Sequence, residues 1–255
     1  MTEQLELGPT DGPVPVSPLP PREQLDTWRR AIPPEIHFGT STWTYPGWAG
    51  LVYSRRWPDQ GASAKMLAEY ARFPLFSTVG IDSSFYGPPQ PKTLESWAKA
   101  LPDGFRCVSK VWDRITVHTF AGQRESKPLA GRKNPDFLNS ELFRSDVYEP
   151  YRQHFGGHTG PFVFEFQAIA GWGAEAPAEF AGRLDRFLGN LPPDARYAVE
   201  VRNEEFLTPA YFAVLREHNV AHVFTSWTRM PPLGAQLDLD GAITTDYLIA
   251  RALLR

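Results

Sequence analysis

Tyr197-Ala-Val-Glu-Val-Arg202 is a short apolar run that ends on a polar or charged residue, and a helix-like stretch follows it. The same arrangement occurs in five other places. They are Ile36-His-Phe-Gly-Thr-Ser41, Thr78-Val-Gly-Ile-Asp82, Phe105-Arg-Cys-Val-Ser-Lys110, Phe162-Val-Phe-Glu-Phe-Gln167 and Ala221-His-Val-Phe-Thr-Ser226. Apolar strands that alternate with helices belong in a parallel sheet covered on its faces. If such a sheet closes into a barrel, the polar ends of all its strands gather at one mouth, where chemistry sits.

Working outward from these runs gives strands over 36–41, 77–82, 105–110, 161–167, 196–202 and 220–226. Helices are predicted near 63–72, 91–100, 139–153, 176–190 and 208–217. Asp246-Tyr-Leu-Ile-Ala-Arg251 is a seventh strand candidate. The fold class expected is α/β, a TIM-like (β/α) barrel over residues 35–255. Such a barrel closes with eight strands, so the count of seven predicts a C-terminally truncated barrel without its last strand. Residues 1–34 read as a Pro-rich, extended, mobile tail followed by a short helix over 22–31, stopped by Pro33-Pro34.

Composition narrows the function classes. The chain has 255 residues, 22% of them charged, with a net charge of −3, which gives no global pull toward nucleic acid or acidic membranes. The single cysteine, Cys107, lies mid-strand and reads as a small buried hydrophobe, with no disulfide framework or Cys-rich metal site. The N-terminus lacks a basic and an apolar signal region, and no apolar run nears the ~18 residues of a membrane span. A cytoplasmic protein is expected, with no set oligomeric state. No metal-ligand spacing, Gly-rich phosphate loop or Gly-x-Ser-x-Gly elbow occurs, so neither metal nor cofactor is predicted.

The motifs resemble those of the DUF72 family of YecE-like proteins of uncharacterised function. Gly39-Thr-Ser-Thr-Trp-Thr-Tyr45 is similar to the family's Gly-Thr-Ser-Gly-Trp-Ser-Tyr. Val79-Gly-Ile-Asp-Ser-Ser-Phe-Tyr86 is similar to its Val-Glu-Ile-Asn-Ser-Ser-Phe-Tyr. Trp97, Pro102-Asp-Gly-Phe-Arg-Cys-Val-Ser-Lys110, Phe166-Gln167 and Glu200-Val-Arg202 follow in the family's order. The resemblance covers roughly residues 36–251 and implies a TIM-like barrel with a candidate mouth. Gly80 stands where the family often has Glu, which removes one carboxylate from any acid/base scheme. The family's final strand, with its Asn-Asn-like residues, is absent, which agrees with the expected truncation.

Period-two alternation picks out the chemistry-bearing residues. Glu200 and Arg202 share one face of their strand, as a general acid/base and an anion clamp, or as a structural ion pair. Val163, Glu165 and Gln167 share the interior face of the preceding strand, while Phe162, Phe164 and Phe166 face helices. Glu165 is a substrate contact or a partner of Arg106 or Lys110, and Gln167 a substrate hydrogen-bonder. Lys110 ends its strand as an anion binder or base, or as a salt-bridge partner of Glu165 or Glu200. Asp82 is a substrate contact or a turn-forming cap. Trp43 and Tyr86 are walls of the mouth or packing residues.

The expected function is that of an enzyme, a hydrolase or isomerase, acting on a small polar substrate such as a carbohydrate or phosphorylated compound. Glu200, Lys110 and Arg202 would be catalytic, with Gln167, Asp82, Trp43, Tyr86 and Glu165 binding substrate. A second reading is nucleic-acid binding through the basic loop 112–137, with Trp112 and Phe120 for stacking and Arg114, Arg124, Lys127, Arg132 and Lys133 for phosphate. A third is an inactive barrel fragment.

Overall fold

A computed structural model describes residues 20–58, 60–120, 130–168 and 176–252. Its centre is one parallel sheet of six strands in sequential order. They are β1 (Thr78–Ile81), β2 (Arg106–Lys110), β3 (Thr159–Phe166), β4 (Tyr197–Val201), β5 (Ala221–Thr225) and β6 (Ile249–Arg251). Helices lie between successive strands, so each crossover returns the chain to a parallel neighbour. The sheet is curled into a half-barrel, because Arg251 at the end of β6 reaches Asp82 at the end of β1 (2.8 Å).

The helices form where their start signals and apolar stripes predict them. α1 (Arg22–Ala31) runs over the predicted residues and ends before Pro33. α2 (Ser63–Tyr70) and α3 (Pro91–Ala98) follow, the latter opened by Pro91, whose missing N–H is harmless in a first turn. α4 (Asp113–Thr116) is a single turn. The predicted helix near 139–153 forms as a continuous run of α5 (Ser140–Phe143), a π-helical turn (Arg144–Tyr148) and α6 (Glu149–His154). Pro150 accounts for the π-helical turn: it has no N–H to give, and its ring crowds a regular preceding turn. α7 (Ala176–Leu188) buries Phe180, Ala181, Leu184, Phe187 and Leu188, one stripe of a 3.6-residue period. α8 (Pro209–Glu217) is capped by Thr208, whose hydroxyl accepts from Tyr211 N (3.2 Å). α9 (Leu233–Leu237) is a short helix after β5.

The strand alternation holds. Phe162, Phe164 and Phe166 join Val199, Val201 and the helices in the large outer core. Val163, Ala198, Ala221 and Val223 form a separate cluster on the inner face, joined by Val108, Tyr247 and Ile249. Ile249 and Arg251 come from the seventh predicted run, which does pair as a parallel strand with β5.

The first predicted strand is corrected. Residues 36–41 run alongside β1 without becoming a strand. Phe38 O accepts from Ser77 N (2.9 Å) and Thr40 O from Gly80 N (2.8 Å). Thr40 N, however, donates to the Tyr70 hydroxyl (2.9 Å), so the ladder is one-sided. The approach is close enough to need glycine: a Cβ on Gly39 would stand 2.1 Å from Thr78 O. Six strands and a flanking segment therefore replace the seven predicted strands. Among the described residues no ladder joins β6 back to β1.

Candidate functional site

Each strand sends one polar side chain to the same end of the inner face. Asp82 leaves β1, and Lys110, Glu165, Glu200, Thr225 and Arg251 come from β2 to β6 in turn. Arg202, just past β4, is the seventh member. Register explains why they meet. Glu165 pairs with Glu200 across β3 and β4, so two carboxylates stand side by side. Like charges at that spacing repel, and burial makes each more costly, unless cations lie between them.

The cations are there. Lys110 Nζ lies 2.6 Å from Glu165 and 3.2 Å from Asp82. Arg202 donates through Nη2 to Glu165 (2.8 Å) and through Nε to Glu200 (3.3 Å). Arg251 donates through Nη1 to both Glu165 and Glu200, and through Nη2 to Asp82 (2.8 Å). Thr225 Oγ1 adds a hydrogen bond to Glu200 (3.3 Å). Three carboxylates thus face three cations, with no net formal charge.

Depth is graded. The side chains of Glu200 and Glu165 are 0% and 2% exposed, those of Lys110, Arg202 and Arg251 12–14%, and that of Asp82 28%. The carboxylates of β3 and β4 form a floor, and the cations and Asp82 lie above it toward the mouth. Burial alone would raise the Glu165 carboxyl, but the charges of Lys110, Arg202 and Arg251 outweigh it and hold it below the usual carboxylate range. Burial pulls down the Arg251 guanidinium, yet Glu200, Asp82 and Glu165 more than offset it and keep the group fully protonated. Arg202 is fixed from above by Trp227, whose ring centre lies 4.2 Å from the guanidinium carbon.

The predicted site residues divide into two groups. Lys110, Arg202, Asp82, Glu165 and Glu200 are brought together. Asp82 opens a 3₁₀ turn (Asp82–Tyr86) but its side chain serves the cluster and not a cap. Gln167 lies beyond the end of β3, half-buried and outside the ion-pair network. Trp43 is corrected: it is a core residue, 3% exposed, packed edge-on against Trp97 at 4.9 Å and donating to Ser63 O. Tyr86 is 56% exposed, packed edge-on against Phe85. Glu200 is fully buried, and Arg202, Thr225 and Arg251 already donate to its carboxylate.

Three residues with roles here were not singled out from the sequence. Arg251 holds the centre of the network, and the rule that selected Lys110 and Arg202, a charge ending an apolar run, applies to it equally. Thr225 is a polar strand end of the same kind. Gln236 on α9 gave no such signal; it is wholly buried and braces the end of β5, bonding Thr225 N (3.3 Å), Thr225 O (2.8 Å) and Pro231 O (2.6 Å).

Arg124 and Lys127 of the loop 112–137 lie outside the described residues. Of the rest, Arg114 is committed to Asp136 (2.7 Å), and Trp112 packs against the core. No group of three or more His, Cys, Asp or Glu side chains that could hold a metal ion occurs among the described residues. A shallow cavity of about 230 Å³ lined by Phe137, Ser140, Arg183 and Asn190 lies on the helical side of the sheet, apart from the charge cluster. No described helix is long and apolar enough to cross a membrane.

The fold and the cluster define an α/β protein of TIM-barrel-like architecture with a charged constellation at the C-terminal strand ends. The chain belongs to the DUF72 family, described as proteins of unknown function, whose model matches residues 37–255. The YecE protein (UPF0759) of Escherichia coli K12 is 27% identical over 171 residues, 67% of this chain and 50% of that protein. The chain thus spans about half the length of the curated relatives it matches. A DUF72 family crystal structure from Enterococcus faecalis V583 matches 75% of this chain and 70% of that chain, with 20% identity and a TM-score of 0.52. One from Thermotoga maritima MSB8 matches 85% and 74%, with 17% identity and a TM-score of 0.54. These likenesses bear on fold.

Proposed function

We propose that the C-terminal mouth of the sheet binds a small polar substrate, a carbohydrate or phosphorylated compound, and turns it over by acid/base chemistry. The observation that carries this reading is the convergence of six charged side chains from five strands on one end of the inner face. A buried ion network is a poor way to stabilise a fold: apolar replacements of such groups are often neutral or stabilising by ~1–4 kcal/mol. Strand ends at this face of barrel-like sheets are where catalytic groups stand.

In this reading Asp82 is the acid/base group, since it is the most exposed of the three carboxylates and touches both Lys110 and Arg251. Lys110 and Arg202 stabilise developing negative charge. Glu165 and Glu200 are positioning residues that hold the three cations. The test is a turnover screen across carbohydrates and phosphorylated small molecules, followed by Asp82→Asn on the substrate found. A general acid/base contributes about 10²–10⁴-fold, so kcat should fall by at least about a hundredfold. Undiminished turnover in a folded variant would remove Asp82 from the role.

A further inference from the structure

The three cations hold more hydrogen-bond donors than their carboxylates use. Lys110 Nζ carries three N–H groups and has two carboxylate partners. Arg202 engages Nε and Nη2, leaving Nη1 without a protein acceptor among the described residues. Arg251 engages Nη1 and Nη2, leaving Nε likewise. None of these nitrogens is among the buried polar atoms that lack a partner. Arg202 Nη1 and Arg251 Nε, which have no such partner, therefore reach solvent above a floor of fully paired carboxylates.

Asp82 is unlike the other two carboxylates. It bridges Lys110 (3.2 Å) and Arg251 (2.8 Å) through the single atom Oδ2, and it is the only one of the three with substantial exposure. Glu165 and Glu200 could not leave without stranding buried guanidinium groups. Asp82 could turn out toward water, with Lys110 and Arg251 still held from below by Glu165 and Glu200.

We infer that the Asp82 carboxylate occupies a seat for a substrate oxyanion, a phosphate or carboxylate group, which takes its place between Lys110 and Arg251. The inference rests on the mouth being the substrate site. It gives that site a ligand class and an order of events. The incoming anion receives the spare N–H donors, with Arg supplying the fork geometry that suits such oxygens. The displaced Asp82 is left beside the substrate without its cation partners, free to accept a proton.

The exchange makes a prediction whose direction is opposite to that of damage. Asp82→Asn removes the competing charge and leaves three cations facing two carboxylates. Binding of inorganic phosphate and of acetate, measured separately by calorimetry at fixed chloride, should tighten by about tenfold or more, the scale of relieving one close like charge. Lys110→Met should weaken both, with circular dichroism checking that it is folded. Tightening for phosphate alone assigns a phosphorylated substrate; tightening for acetate alone assigns a carboxylate one. Equal affinity in wild type and Asp82→Asn, or no saturable binding of either anion by the variant, overturns the seat. Turnover of an uncharged substrate with neither anion bound would overturn the seat and leave the acid/base reading intact.

Discussion

Glu165 is contacted by every cation of the cluster: Lys110, Arg202 and Arg251 all place a nitrogen within 2.8 Å of Oε2. Removing its charge leaves buried cations undercompensated, which is more damaging than losing the attraction alone. Glu165→Gln should lower unfolding free energy by about 3–5 kcal/mol, read from urea midpoints at constant slope. A loss below about 1 kcal/mol would place the network in the class of solvated surface pairs. Cys107 gives a second test at this scale. It is fully buried, and burial pushes its thiol up to about 12. Thiolate is the reactive form, so maleimide should label Cys107 only as the chain unfolds, and fast labelling of native protein would contradict this packing.

At the scale of elements, the C-terminal end of β5 is set by a side chain from elsewhere. Gln236 on α9 both accepts from and donates to the backbone of Thr225, and Thr225 in turn donates to Glu200. Gln236→Leu keeps the volume but strands the Thr225 and Pro231 backbone groups. Each orphaned group costs about 1–3 kcal/mol, so a loss of about 2–4 kcal/mol is expected by thermal or urea unfolding. The conservative Gln236→Glu should retain part of the bracing, and identical losses in both variants would argue against the hydrogen bonds as the cause. The same scale shows why residues 36–41 and 139–153 differ from their sequence patterns. Thr40 N is taken by Tyr70, and a π-helical turn over 144–148 loosens the otherwise continuous helix of 140–154 just before Pro150.

For the molecule as a whole, acid should act in two stages. Burial lowers the His222 imidazole to about 4, against an ordinary value near 6.5, and burial lowers His118 as well. Between these values the unfolded chain binds more protons than the folded one. Stability is therefore complete above about pH 6.5 and falls as pH drops toward about 4, by on the order of 3 kcal/mol for His222. Glu165 acts lower still. Its folded carboxyl lies below the usual range, so its contribution is present above about pH 4.3 and is lost as pH falls through the folded value. Urea midpoints at pH 7.5, 5.5 and 4 should decline in that order, and His222→Phe should flatten the first stage. A midpoint unchanged between pH 7.5 and 5 in the wild type would contradict the burial of His222.

Much of this was legible from the chain alone. Apolar runs with polar ends dictate a parallel sheet, because side chains alternate and both faces of such a sheet are covered. The same alternation separates Phe162, Phe164 and Phe166 from Val163, Glu165 and Gln167, and of the polar residues it selects, Lys110, Glu165, Glu200 and Arg202 meet while Gln167 lies beyond the strand. Depth and distance were not legible. Trp43 follows a predicted strand end just as Tyr86 does, yet one is core and the other exposed, since that depends on what packs above them. Glu200 read equally as an acid/base or as an ion-pair partner, and its enclosure depends on the neighbouring Arg202 together with Arg251 from the last strand. Above all, Arg251 and Asp82 are 169 residues apart, and no local pattern joins them. Only the curl of the sheet brings the first and last strands close enough for one guanidinium to span the mouth.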